Sequence, residues 1–227
     1  MTRPAEPLSV PKHVADLAGD REVTAVWLND LGGVTFSLAG EEFVKVYPEQ
    51  HAALLVAEAE RMTWAIQYHS VPTILSTGPG WLHTAALPGR SAVDPDWVRR
   101  PRTATRAIAQ GLRLLHDAAP VEACPFGTPS WIPADAPPAD RLVVCHGDPC
   151  APNTVVAEDA QCSGNVDLGD LGVADRWADL AVATMSLDWN YGPGFEAEFF
   201  DEYEIDPDDE RIAYYRARWE EQAGLPR

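Results

Sequence analysis

Between Glu22 and Leu87 short runs of alternating β-branched and aromatic residues with Gly turns flank one helical stretch, and after Leu87-Pro88-Gly89-Arg90 helical spacing dominates. That switch limits the fold more than any other feature of the sequence. VTAVWL, VTFSL and FVKVY, divided by Asn29-Asp30, Gly32-Gly33 and Ala39-Gly40, read as three antiparallel strands. Pro48 opens a helix whose stripe is Leu55, Ala59, Met62 and Ile66. VPTILSTG and GWLHTAAL add two strands around Gly78-Pro79-Gly80. Residues 1–87 therefore form a small β unit with one helix. Residues 88–227 form a mainly helical unit with a little sheet. The spacing predicts a helix over 103–117 with Ala104, Ile108, Leu112 and Leu115 on one face, then a Pro-rich irregular stretch over 118–140. RLVVC is a strand, TVVAE and GNVDL pair, and helices start at Asp175 and near 195 and 207. The expected class is α+β in two units.

The segment VVCHGDPCAPN holds the most chemistry. A hydrophobic strand runs into a loop with Asp148 and, five residues on, Asn153; nineteen residues after Asp148 a second apolar segment ends in Asp167. Phosphoryl transfer needs a carboxylate to orient the attacking hydroxyl and take its proton, plus oxygen ligands for magnesium on the nucleotide phosphates. Asp148 suits the first role, and Asn153 and Asp167 suit the second, because Mg²⁺ prefers hard oxygen donors. Lys45 lies mid-strand in FVKVY, where it can reach phosphates if a carboxylate holds it. Glu58 borders the apolar stripe of the helix whereas Glu60 faces water, so Glu58 is the expected partner. Gly32-Gly33 either brings backbone amides to phosphates or is a plain hairpin turn.

The chain has 17 Lys+Arg against 35 Asp+Glu, a net charge of −18. Such a field repels phosphate backbones and anionic membranes, which excludes nucleic acid and membrane surfaces as expected partners and favours small cations. The four cysteines have no CxxC or zinc spacing and read as core-filling thiols. The start MTRPAEPLSVPKH lacks an apolar signal segment, so a cytoplasmic location is expected.

Together these residues resemble the aminoglycoside phosphotransferase family, relatives of the protein kinases, and most closely its 3′-phosphotransferase branch. The resemblance is carried by HGD-x4-N at His146–Asn153 and V-D-x-G-x-x-G-x-A-D-R-x-x-D-L-A at Val166–Ala181. E-A-x-R-x-x-W at Glu58–Trp64, R-L-L-H at Arg113–His116, CPF at Cys124–Phe126 and R-I-A-Y-Y-R at Arg211–Arg216 extend it. It implies a two-lobed kinase-like fold that moves the ATP γ-phosphoryl group to a hydroxyl of a cationic aminoglycoside, giving antibiotic resistance. By position it implies Asp148 as base, Asn153 and Asp167 as Mg²⁺ ligands, and Lys45 with Glu58 as the phosphate anchor. It also implies a hinge at Thr84–Leu87, including Ala85, that meets the adenine, and a packing and hydrogen-bonding role for His146.

Two departures bear on the acceptor. The family commonly has a long helical insertion between CPF and HGD, where this chain has only Gly127–Cys145. The family's acidic C-terminal contacts are replaced by Glu220 and Glu221. From Trp177 to Glu210 there are eleven acidic residues and no Lys or Arg, either a solvated surface or in part a cleft for an ammonium-rich substrate. A kinase of another small hydroxylated metabolite or drug, or a non-catalytic nucleotide-binding module, are the alternatives.

Overall fold

The structure, a computed structural model, describes Thr2 and residues 4–223. It has two compact units. The first runs to Ile66 and resumes at Pro72–Ala86; the second comprises Gln67–Val71 and the chain from Leu87. The short crossing 67–71 differs from a single boundary after Leu87, and its cause is local. His69 Nε2 meets Asn165 Oδ1 at 2.8 Å, and the Ser70 carbonyl accepts from the Asn165 backbone at 3.0 Å.

The first unit is a five-stranded antiparallel sheet in the order β1-β2-β3-β5-β4. Its strands are β1 (Val23–Leu28), β2 (Val34–Leu38), β3 (Glu42–Val46), β4 (Ile74–Gly78) and β5 (Trp81–Ala85). Phe36 pairs with Val44 across β2 and β3, and both pack with Leu38 against Val14 and Ala18. Those last two belong to α1 (Lys12–Ala18), a short helix at the place where the Pro-rich start reads as a short helix or turn. Alternation along the strand sends Lys45 to the opposite face, level with Thr35 and Leu82. There it meets α2 (Ala52–Ala65), which follows Pro48 and one 3-10 turn. The buried residues of α2 are Leu55, Glu58, Met62 and Ala65. The stripe is thus rotated from the expected one: Ile66 is exposed, and Glu58 lies within the buried face rather than at its border.

The second unit contains β6 (Arg90–Ser91), α3 (Pro95–Val98), α4 (Pro101–Ala118), β7 (Leu142–Cys145), β8 (Thr154–Val156), β9 (Cys162–Asn165), β10 (Gly172–Asp175), α5 (Arg176–Tyr191), α6 (Glu196–Tyr203) and α7 (Asp209–Ala223). β7 pairs with β10, and β6, β8 and β9 make a second small sheet. Ala104, Ile108, Leu112 and Leu115 of α4 are all buried, as their spacing predicts. α5 is buried from Trp177 through Leu187 without interruption, the pattern of a helix enclosed on every side. GNVDL is not one strand. β9 stops at Asn165, and Asp167 takes a left-handed φ of 64°. No helix among the described residues is long and apolar enough to cross a membrane. The cysteines are free thiols; burial pushes Cys162 up to about 11 and Cys145 and Cys150 upward as well.

Candidate active site

β7 is apolar and buried through Val143, Val144 and Cys145, and it delivers His146 into the interior. The His146 backbone N–H donates to Asp179 Oδ2 at 2.6 Å, and that of Gly147 to Oδ1 at 3.1 Å. Asp179 is a fully buried carboxylate on α5, so the first turn of this helix grips the loop by its amides. His116 Nε2 donates to the same carboxylate at 3.0 Å, and the Tyr203 hydroxyl donates to His116 Nδ1 at 2.7 Å. Cys145 lies in the same buried cluster, but these polar atoms already have partners and the cluster reads as a loop anchor. Sequence reasoning counted Asp179 in a motif and in the acidic segment but did not give it this loop-holding role. The signal was there: a single charge inside WADLAVATM, an otherwise uncharged run, has to be buried and has to be paired.

The His146 ring closes the loop from within. Its Nε2–H donates to the Val166 carbonyl at 3.0 Å, and its Nδ1 accepts from the Asp148 N–H at 3.2 Å. These bonds define one neutral tautomer and give the packing role expected from the sequence. Asn153 is buried; its Nδ2 donates to the Asp148 carbonyl at 2.9 Å, which leaves the amide oxygen as the end able to meet a cation. The Asn153 carbonyl accepts from Val166 N–H at 2.9 Å. The loop with Asp148 and the turn with Asp167 are therefore stitched together at two points.

One oxygen of the Asp148 carboxylate is left unsatisfied. Its Oδ1 is buried and has no hydrogen-bond partner among the described residues. Burial raises its pKa, and the charge of Asp167 raises it further. The Asp148 carboxylate, the Asp167 carboxylate on left-handed backbone and the Asn153 amide oxygen supply hard oxygen donors suited to a divalent cation. Asn153 and Asp167 are the residues that fit it.

In the first unit Lys45 Nζ donates to Glu58 Oε1 at 2.6 Å and Oε2 at 2.8 Å. Side-chain exposure is 17% for Lys45 and 5% for Glu58, so the pair is largely shielded; Glu60 is exposed. Gly32 and Gly33 turn inward. The Gly32 N–H bonds the Asn29 carbonyl at 3.1 Å, and the Gly33 N–H bonds Asn29 Oδ1 at 2.7 Å. The structure thus corrects the phosphate-cradle reading in favour of the hairpin turn. Ala85 closes β5 with its N–H on the Thr73 carbonyl at 2.9 Å, and the Ala86 N–H bonds Glu41. The amides of Ala85 and Ala86 thus have partners within the sheet.

The chain matches the phosphotransferase enzyme family over residues 128–215. An aminoglycoside 3′-phosphotransferase of Streptomyces fradiae is 30% identical over 250 residues, spanning 85% of this chain and 92% of its own length. A streptomycin 3″-kinase of Streptomyces griseus is 32% identical over 243 residues, spanning 84% and 89%. A solved aminoglycoside phosphotransferase of Streptomyces rimosus has a TM-score of 0.69 at 28% identity, covering 89% of this chain and 93% of that one, and a second structure of it holds ADP and streptomycin. The chain belongs to the aminoglycoside phosphotransferase family. The kinase-like α+β fold expected from the paired motifs is the fold of its solved relatives.

In this family member four of the eleven acids of that segment are held by arginines. Glu196 pairs with Arg216, Glu198 with Arg102 and Arg106, Glu204 with Arg113, and Asp208 with Arg211. Asp175 caps α5 through the Trp177 N–H and also receives Arg211. Of the two acids named for the acceptor, Glu221 pairs with Arg218 at 2.8 Å, and Glu220 is half-buried beside Trp219 on α7.

Proposed function

We propose that this protein transfers the γ-phosphoryl group of ATP to a hydroxyl of an aminoglycoside, with drug resistance as the consequence. The observation that carries the reading is the buried, unpartnered Oδ1 of Asp148 on a loop whose amides and carbonyls are otherwise engaged. An acceptor hydroxyl would complete that oxygen's hydrogen bonding and give up its proton to it as the phosphorus–oxygen bond forms. The first unit is the nucleotide-binding one: Lys45, oriented by both oxygens of Glu58, holds nucleotide phosphate. The second unit holds base and acceptor. Asn153 and Asp167 would hold Mg²⁺, which when bound neutralises phosphate charge. The Streptomyces griseus kinase and the streptomycin complex support an aminoglycoside acceptor, and the surplus of negative charge suits its ammonium groups. An intracellular location follows from use of ATP.

The test is a coupled assay of ADP release with streptomycin and with aminoglycosides that carry a free 3′-hydroxyl. Acceleration by at least one of them, with a phosphorylated product seen by mass spectrometry, is expected. Turnover only with an uncharged alcohol would replace the aminoglycoside by another hydroxylated acceptor.

A further inference from the structure

The irregular stretch between the CPF motif and β7 contains a built contact with both loops of the site. Ser130 N–H bonds the Asp170 carboxylate at 2.9 and 3.1 Å, and the Ser130 hydroxyl adds a bond at 3.1 Å. Asp170 lies three residues after Asp167 in the same turn. One residue on, Trp131 Nε1 donates to the Gly147 carbonyl at 2.8 Å, the peptide that leads into Asp148. The Gly127 carbonyl accepts from Val173 N–H at 3.2 Å, on the strand that follows the turn. The approach is close enough to dictate residue type. A Cβ at Gly172 would lie 1.9 Å from the Gly127 oxygen, and one at Gly147 would lie 2.2 Å from the Asp170 oxygen. On its far side Trp131 meets Tyr215 and Trp219 of α7 edge-on, with centroids 6.2 and 5.1 Å away.

We propose that residues 127–132 form a strap that sets the relative position of the two loops, with Trp131 as a positioning residue for Asp148 and Ser130, through Asp170, as a positioning residue for Asp167. This rests on the phosphotransferase reading and deepens it. Where the family commonly inserts helices, this chain lays a short segment directly across the loops. An indole N–H on the Gly147 carbonyl fixes the peptide plane next to Asp148, and hence the direction of its side chain. Three hydrogen bonds on Asp170 fix the turn that holds Asp167 in its left-handed conformation. The two contacts act on different quantities, the orientation of the base and the oxygen set for the cation.

The experiment compares Trp131→Phe, Ser130→Ala, Ser130→Thr and Asp170→Ala with wild type. Trp131→Phe keeps the ring and loses the donor. It should lower kcat about tenfold while leaving Mg-ADP affinity unchanged, the scale of a small misplacement of a reacting group. Asp170→Ala, and Ser130→Ala more weakly, should raise the Mg²⁺ concentration needed for half-maximal ADP binding, by about tenfold for Asp170→Ala, if the lost hydrogen bonds to a charged group carry their usual weight. ADP binding without metal should not move, and Ser130→Thr, which keeps the hydroxyl, should behave as wild type. Wild-type kcat in Trp131→Phe would overturn the strap. So would kcat and Mg²⁺ requirement changing together in every variant in proportion to lost melting temperature. If the wild type phosphorylates no aminoglycoside, the functional reading has failed; amide exchange at residues 146–148 then tests the strap. Faster exchange in Trp131→Phe supports it and unchanged exchange refutes it. Should Trp131→Phe not fold, the Mg²⁺ titrations of the exposed Ser130 and of Asp170 decide the matter.

Discussion

Lys45 and Glu58 in the first unit, and Asp148, Asn153 and Asp167 in the second, present charged groups in opposite ways. The lysine sits on a regular strand and its partner on a regular helix. Strand alternation and helical phase suffice to bring both carboxylate oxygens within 2.8 Å of the ammonium group. The acids of the second unit sit on irregular backbone. One precedes a turn stitched by Asn153, another has a positive φ, and the loop that leads into Asp148 is held by Asp179, His146 and Trp131. In the first case position follows from periodicity. In the second each backbone group needs its own partner, because no repeating ladder supplies one. A paired lysine therefore stands against a single orphaned oxygen, and that Oδ1 of Asp148 is where the largest effect is expected.

Asp148→Ala should lower kcat by at least ~10²-fold, the scale of losing a positioned general base. Mg-ADP affinity, read by calorimetry, should change little; near wild-type kcat would break the contrast at once. Asp167→Ala should come next. ADP binding should lose its dependence on Mg²⁺, because the variant keeps only the Asn153 oxygen of the pair. Titration of ADP with and without metal checks this, and an unchanged Mg²⁺ dependence would remove Asp167 from the oxygen set.

Glu58→Gln sharpens the other side of the comparison. One carboxylate oxygen becomes an amide nitrogen and the ionic hydrogen bonds to Lys45 weaken; such bonds contribute about 1.5–3 kcal/mol each. The KM for Mg-ATP should rise about tenfold, a 1.4 kcal/mol effect. Glu60→Gln, on the exposed side of the same helix, should leave it unchanged. Equal effects would mean that the helical phase does not decide which acid serves Lys45.

The same contrast explains what was readable from the residues alone. Elements with a strong period were legible: the five strands, α4 with Ala104, Ile108, Leu112 and Leu115, and the choice of Glu58 over Glu60. Even there the phase of α2 was off, because Ile66 was counted as apolar face while the helix ends at Ala65 and turns it outward. The loops were legible only as residue types. Asp148, Asn153 and Asp167 stood out by chemistry and spacing. GNVDL was over-extended as a strand because nothing in Val166-Asp167-Leu168 announces a left-handed residue. β10 was missed because four residues including a glycine carry too little pattern. The strap was missed for a related reason. Ser130 and Trp131 lie in a Pro-rich stretch with no period, and their partners are 40 and 16 residues away. Long-range hydrogen bonds to backbone carbonyls leave no local signature.

The smallest expected effect concerns the acceptor, and it depends on which acids are already neutralised by neighbours. Glu198 lies against Arg102 and Arg106, and Glu196 against Arg216, so their charges are locally balanced and project little field. Glu220 is half-buried on α7, directly after Trp219, whose ring packs on Trp131 and so sits one contact from the Gly147 carbonyl. A cationic acceptor near Asp148 would feel Glu220 more than the paired acids. Glu220→Gln should therefore raise the aminoglycoside KM about threefold, the ~0.6 kcal/mol expected of a partly screened charge, and leave the KM for Mg-ATP alone. Glu198→Gln should change neither. The wild-type aminoglycoside KM should also rise between low and physiological salt, because screening shortens the reach of the remaining negative field. A KM flat in salt, or a larger effect from Glu198 than from Glu220, would mean that the acceptor's charge is read elsewhere than on α7.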